Sequence, residues 1–188
     1  MSLLQPSIAL FLVMTLLTGM VYPLLITLTA QLTMPYLANG SLLQKGEKTV
    51  GSLLIAQHTT GDRYFHPRPS AIDYDPLKPS GGSNWGPTSR KLKEAVEERK
   101  KTAGSHAPPE LLYASGSGLD PHISLQAAYF QIPRVAKTRG VDEKSLKEWI
   151  DALAEDRQLQ IFGSPYVNVL LLNHTLDQRD KNPKSQDE

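Results

Sequence analysis

The chain has 188 residues, enough for one membrane-anchored domain or one soluble domain with a real core. It contains no cysteine, which excludes disulfides, thiolate chemistry and cysteine-ligated metals. Twenty Lys and Arg oppose 19 Asp and Glu for a net charge of +1, so there is no basic footprint for nucleic acid.

The charge is unevenly placed. No charged side chain occurs from Met1 to Gln44. Within that stretch Ile8 to Leu32, "IALFLVMTLLTGMVYPLLITLTAQL", is long enough to cross a bilayer as a helix. A cleaved signal peptide would have a basic n-region, a shorter apolar core and a small-x-small cleavage site. No Lys or Arg precedes this run, and Leu28 is a poor residue three before a cut near Ala30. The expectation is an uncleaved transmembrane helix within an anchor spanning 1–34. Tyr22-Pro23 sits inside it, and a proline removes one helical hydrogen bond and bends the helix. Thr18 and Gly19, with Thr15, Thr27 and Thr29, provide small or hydroxylated positions suited to close packing on another helix; ordinary membrane-helix composition is the equal alternative. The flanking charges do not set the orientation.

Beyond the anchor, a soluble domain is expected over 35–176. Val50 to Gln57, "VGSLLIAQ", reads as a short buried strand. Arg63 to Ala71 has two prolines and is extended at best; Asp73 to Pro87 is a loop rich in Gly, Pro, Ser and Asn. A thinly apolar helix is predicted from about Thr88, its N-cap, to Lys101. Ala103 to Glu110 is a linker, and Leu111 to Ala114 is a candidate strand. The next helix opens near Asp120-Pro121 or Ser124, repeats apolar residues from Leu125 to Ala136, is interrupted by Pro133 and closes at Gly140. The last clear helix starts at Asp142, with Val141 and Leu146 as a hydrophobic staple. Tyr166 to Asn173, "YVNVLLLN", reads as a second buried strand, and the polar tail 177–188 as disordered. Few strands and several helices make an α+β domain behind one membrane helix.

Two polar loops precede helices: "SGGSNWGPTS" at 80–89 and "ASGSGLDPHIS" at 114–124. Gly81 and Gly86 have the spacing of the glycines of a phosphate-binding loop, and Thr88 stands where its hydroxyl would be. Lysine is replaced by Pro87, which carries neither charge nor N–H, and no apolar strand leads in, so a Walker loop is not expected. Ser80, Gly81, Gly82, Ser83 and Asn84 nevertheless suit an anion or a partner, as turn-forming and helix-capping residues also would. Ser115, Ser117, Asp120 and His122 belong to the second loop; Ser117, Asp120 and His122 have the residue types of a hydrolase triad but are too close in sequence to converge easily, and no nucleophile elbow is present. His58, His66, His106, His122 and His174 have no metal-ligand spacing. Arg68, between prolines, marks a rigid docking arm or a surface loop with a local ion pair.

The ordered series Thr18 to Pro23, Gly51 to Gln57, Tyr64 to Ala71, Ser80 to Ser89, Ala114 to Ser124, Arg134 to Ala136 and Val167 to Asn173 closely resembles the C subunit of the bacterial Kdp potassium-transporting P-type ATPase. The similarity runs from about Thr18 to about Leu176, and Trp85, where a smaller aliphatic residue is common, is a minor departure. The resemblance implies a single-pass protein of the bacterial inner membrane, with the soluble domain on the outer side. Its implied role is accessory: a catalytic chaperone that raises the pump's affinity for ATP. The implied partners are a channel-like potassium-translocating subunit, a P-type subunit that hydrolyses ATP and a small membrane subunit. No tightly bound cofactor is implied, and ATP is met through the pump complex. Two rival readings are an anchored nucleotide-binding module, in which Ser80 to Asn84 and a glutamine such as Gln126 or Gln131 touch ATP, and an anchored hydrolase.

Overall fold

The computed structural model describes residues 3–181. The chain divides into two compact units, Met1–Leu42 and Leu43–Glu188.

The first unit is built on a helix from Leu4 to Thr33, long and apolar enough to cross a membrane and with no buried residue. At ~1.5 Å per residue it extends about 45 Å, more than the ~30 Å of a bilayer core. It is not uniform. An α-helix α1 (Leu4–Leu16) passes into a π-turn at Leu17–Val21 and resumes as α2 (Tyr22–Thr33). The bend expected from Pro23 is thus accompanied by a π-turn just ahead of it, where the Tyr22 N–H reaches back to the Leu17 carbonyl. The hydroxyls of Thr18, Thr29 and Thr33 donate to carbonyls four residues back, so their polarity is met within the helix. Gly19 faces open space. A single turn, α3 (Pro35–Ala38), follows, with the Gln31 and Asn39 carboxamides bonded to each other.

Strands β1 (Leu42–Lys45) and β2 (Lys48–Ser52) pair across Gly46 and Glu47. This corrects the buried strand expected at 50–57: the strand ends at Ser52, is largely exposed, and gives way to turns, because Gly51 and Ser52 weaken the apolar run. No helix or strand occurs from Leu53 to Ser89. Helix α4 (Arg90–Ala103) starts one residue later than expected, with Ser89 rather than Thr88 at its N-cap, and buries only Val96. The expected strand at 111–114 is instead a helical turn, α5 (Pro109–Leu112): Pro109 occupies its first position, where proline's missing N–H costs nothing.

The core is assembled from two matching strand–helix pieces. Strand β3 (His122–Ser124) runs directly into α6 (Leu125–Arg139), and β4 (Tyr166–Asn168) runs directly into α8 (Val169–Lys181). The strands are antiparallel, with Ile123 opposite Val167, both buried, and the ring of His122 on that of Tyr166. Ser124 caps α6 by accepting from Ala127, and Gly140 closes it at φ +70°. Pro133 lies inside α6 without ending it, because the buried face of Ala128, Ile132, Val135 and Ala136 carries the helix onward. Asp142 caps α7 (Glu143–Leu153), which lays Leu146 and Ile150 into the core.

Only the first three residues of the strand expected at 166–173 are extended. The Asn168 side chain accepts from the Leu171 N–H and starts α8, whose Leu172 and Leu176 are fully buried. The tail expected to be disordered from 177 is helical as far as Lys181; its remainder lies outside the described residues. The architecture is α+β, with small two-stranded sheets and helices around a main core and a smaller cluster of Val96, Ala107 and Leu112, following one apolar helix in the chain.

Candidate functional site

The irregular stretch from Leu53 to Ser89 is long for a segment without regular structure, and such segments are usually functional or disordered. Here side chains of the helices hold it. The Asn173 carboxamide of α8 accepts from the Phe65 N–H and donates to the Phe65 carbonyl, both at 2.8 Å. Gln131 of α6 does the same for His66, at 2.8 and 3.1 Å. Each amide imitates a strand neighbour, satisfying a backbone donor and acceptor that no sheet reaches. Phe65 enters the core with no exposed surface. Arg134 donates to the carbonyls of Asp62 and Tyr64, and the guanidinium of Arg139 binds the Arg63 carbonyl together with Asp177 and Asp180.

This anchoring shifts two nearby groups. Burial, and secondarily the positive charge of Arg134, push the His66 imidazole below its ordinary value of 6.5. Burial pushes the Tyr74 phenol up, and its hydroxyl donates to the Arg68 carbonyl at 2.9 Å.

From the Phe65–His66 anchor the chain runs on to the two Gly/Ser loops, which are joined directly. The Gly81 N–H and the Ser80 hydroxyl both donate to the Ser117 carbonyl, at 2.9 and 2.8 Å. Gly82 lies against Gly116 and the Ser115 carbonyl. The Ser115 N–H donates to Pro69, and the Ser70 hydroxyl donates to Gly118 while accepting from Ile72 and Tyr74. Gly118, at φ +69°, has the Gly81 carbonyl 2.9 Å from where a Cβ would stand. Arg68 and Asp120 form an ion pair at 3.1 Å, each about 30% exposed, and Asp120 also accepts from the His122 N–H. Such a half-exposed pair adds little stability, and it fixes the arm against the second loop. Arg68 Nε and Ser115 Oγ are buried here without a protein hydrogen-bond partner.

Most of the residues expected to act at the loops are therefore collected in one platform: Ser80, Gly81, Gly82, Arg68, Ser115, Ser117 and Asp120. Ser83 is half-buried, and Asn84 is exposed with φ +54°. His122 belongs to β3, with its ring against Tyr166. The Ser117 hydroxyl accepts from the Leu119 N–H. Gln126 is exposed on the first turn of α6, apart from buried Gln131. Gln131 lines a cleft of about 610 Å³ with Tyr74, Phe130, Arg99 and Arg134. Ser80 to Asn84 are not among that cleft's lining residues. Among the described residues no cluster of three or more His, Asp or Glu is placed to hold a metal.

This one chain, from its apolar helix to α8, matches the family model for the K+-transporting ATPase c chain, KdpC, over residues 4–178. It belongs to the KdpC family. The KdpC subunit of the potassium-transporting ATPase of Rhodospirillum rubrum is 47% identical to it, covering 94% of this chain and 95% of the relative. The corresponding subunits of Methylobacterium nodulans and Sorangium cellulosum are 44% and 45% identical, each over 93% of this chain and 96% of their own length. The resemblance seen in the ordered sequence blocks is thus confirmed, as is the α+β architecture behind one apolar helix. A subunit of a potassium-transporting ATPase with a helix able to span a bilayer is a membrane protein.

Several residues at the site were not singled out by their sequence pattern. Asn173, Arg139 and Ser70 act through contacts far away in sequence, and Tyr74 through the Arg68 carbonyl six residues back. Ser70, Arg134 and Asn173 were visible only as members of family blocks.

Proposed function

We propose that the chain is a non-catalytic coupling subunit of the pump. It is needed for assembly and for linking ATP hydrolysis to potassium transport, and it raises the ATP affinity of the hydrolysing subunit as a catalytic chaperone. Its helix anchors it in the bacterial inner membrane, with Thr18, Gly19, Tyr22 and Pro23 packing on a neighbouring helix. The soluble domain lies on the outer side. Its partners are the channel-like subunit, the P-type subunit and the small membrane subunit.

The observation that carries this reading is the joining of the two loops through Ser117 and Gly81. Neutral polar groups locked to one another by backbone bonds make a rigid surface for a partner, and pre-organisation of that kind favours docking. A chemical centre would need an activated nucleophile or a metal instead.

A specific feature favours a second reading, direct ATP binding. The cleft beside Gln131 offers Tyr74 and Phe130 to a base and Arg99 and Arg134 to phosphates. Against it, Arg99 already donates to the Leu112 carbonyl, Arg134 to Asp62 and Tyr64, and Gln131 has both amide atoms bound to His66. Asp62 and Glu98 on the same walls oppose a triphosphate. An outer-side domain would also not meet cytoplasmic ATP.

The test is potassium-stimulated ATP hydrolysis by the purified pump with and without this chain, over a range of ATP concentrations. Loss of the chain is expected to raise KM for ATP and to lower potassium stimulation. An unchanged KM would refute the chaperone role. Micromolar ATP binding by this chain alone, seen by calorimetry, would favour the second reading.

A further inference from the structure

We propose that the turn from Gln158 to Phe162 is a docking knob that seats in an apolar pocket on another subunit of the pump.

Three large apolar residues fall within four positions of this turn and face solvent: Leu159 is 82% exposed, Ile161 73% and Phe162 63%. The other large apolar residues exposed in the second unit, such as Leu77 and Tyr113, are isolated along the chain. Isolated exposed apolar residues are normal, whereas a cluster signals an interaction.

The backbone gives a second, independent sign. Leu159 and Gln160 both take left-handed conformations, at φ +53° and +61°. With the Ile161 N–H donating to the Gln158 carbonyl, this is the geometry of a type I′ turn, which prefers Asn-Gly because a Cβ is disfavoured there. The chain thus holds a leucine in an unfavourable conformation and exposes it, and neither choice stabilises this protein by itself. Strain of this kind is retained where it presents a group to something else.

The turn is also built to be stiff. Gln158 and Phe162 exchange two backbone hydrogen bonds at 3.0 Å. Below them Glu155 and Tyr166 exchange two more, at 2.8 and 3.1 Å, and the Tyr166 phenol donates to the Glu155 carboxylate at 2.7 Å. The stem therefore continues from β4, part of the core sheet.

A shaped pocket in a protein suits this knob better than a lipid surface does. The exposed stem carries Glu155 and Asp156 against one base, Arg157. Loops that enter a bilayer surface favour Lys and Arg, since anionic headgroups repel carboxylates. A rigid apolar tip with an acidic collar fits an apolar pocket rimmed by basic groups. The proposal rests on the reading that this chain assembles with the other pump subunits.

The experiment uses the whole pump, purified in detergent through a tag on the P-type subunit. The variant Leu159→Ser/Phe162→Ser removes the apolar tip at exposed positions, so the thermal midpoint of this chain should not change. The fraction of the chain retained after extensive washing is expected to fall about tenfold. Gln160→Gly, which relaxes the turn and leaves the tip in place, should be retained like wild type. A photoreactive phenylalanine at Ile161 should form an adduct with another pump subunit in lipid nanodiscs. Full retention of the double variant, or adducts with lipid only, would overturn the proposal. Failure of the wild-type chain to copurify would instead overturn the assembly reading on which it rests.

Discussion

The carboxamide of Gln131 binds both backbone polar groups of His66, accepting from its N–H and donating to its carbonyl. Gln131 is 5% exposed, so its removal strands a partly buried donor and acceptor at the start of the proline-rich arm. Gln131→Ala should destabilise the chain by roughly 2 kcal/mol, the cost of unpaired buried polar groups. Chemical denaturation of the detergent-solubilised protein measures it. Wild-type stability with weakened ATP binding would mean that this amide serves a nucleotide rather than the arm.

The same contact region makes stability depend on pH. Burial and Arg134 hold His66 below 6.5, while the unfolded chain titrates near that value. Between the two values the unfolded state binds more protons, so acid favours unfolding. The full contribution is present above pH 6.5 and is lost as pH falls through 6.5 toward the folded value. The thermal midpoint should drop between about pH 7.5 and about pH 5.5, and His66→Gln should reduce that drop. Equal drops in the two proteins would remove His66 as the cause.

Arg139 is an enclosed cation, with 1% of its side chain exposed between Asp177 and Asp180. It also lies 5.1 Å from the centre of the Tyr64 ring. Arg139→Met leaves Asp180 with the half-exposed Arg63, and Asp177 with Arg63, a distant Lys45 at 3.8 Å and the Tyr64 hydroxyl. The expected loss is about 3 kcal/mol, in the range for breaking an enclosed pair from one side. Adding Asp177→Asn and Asp180→Asn should recover part of that loss. No recovery would show that the Arg63 carbonyl contact, rather than the charge, dominates.

Legibility in the sequence followed the range of the interactions. The apolar span, the caps Ser124, Asp142 and Gly140 and the period of α6 and α7 are local signals, and they located those elements. Strands β3 and β4 have three residues each, too few for a period-two pattern to register. Helix α8 was concealed because Val169 to Leu172 is an unbroken apolar run; the clue was Asn168, whose side chain caps the helix and ends the strand. At the site, the Ser/Gly composition identified both loops. Their union through Ser117 could not be read, since a backbone carbonyl accepts from any chain that arrives there. The Asn173 and Gln131 clamps were illegible for the same reason: a carboxamide facing a core looks like any helix residue until its partner is placed.

In the membrane helix, Pro23 follows the π-turn at Leu17–Val21. Alanine there restores an N–H donor to the Gly19 carbonyl and favours regular α-helix through the turn. Pro23→Ala should weaken copurification of the other subunits and leave the denaturation profile of the second unit unchanged. Unaltered copurification would mean that the proline is tolerated without a role in packing.

The glycines of the joined loops provide a graded test of the platform. A Cβ at Gly118 would stand 2.8 Å from Ile72 Cγ1 and 2.9 Å from the Gly81 carbonyl, and the backbone there is already at φ +69°. The Gly81 carbonyl cannot withdraw freely, because its own N–H is bonded to Ser117. Gly118→Ala should therefore part the loops, at a cost of about 1–3 kcal/mol for the left-handed conformation and the clash together. Gly81→Ala meets nothing within 4 Å and should behave as wild type. Gly82→Ala finds its nearest atom at 3.4 Å, so with Asn84→Ala it should alter the exposed surface while leaving the fold intact. The two measurements are protease cleavage between Ile72 and Thr88 and potassium-stimulated ATPase of the assembled pump. Gly118→Ala should increase cleavage and lower activity; Gly82→Ala/Asn84→Ala should lower activity alone. If both variants open the loops to protease and the pump keeps full activity, the platform only closes the fold and the coupling surface lies elsewhere on the domain.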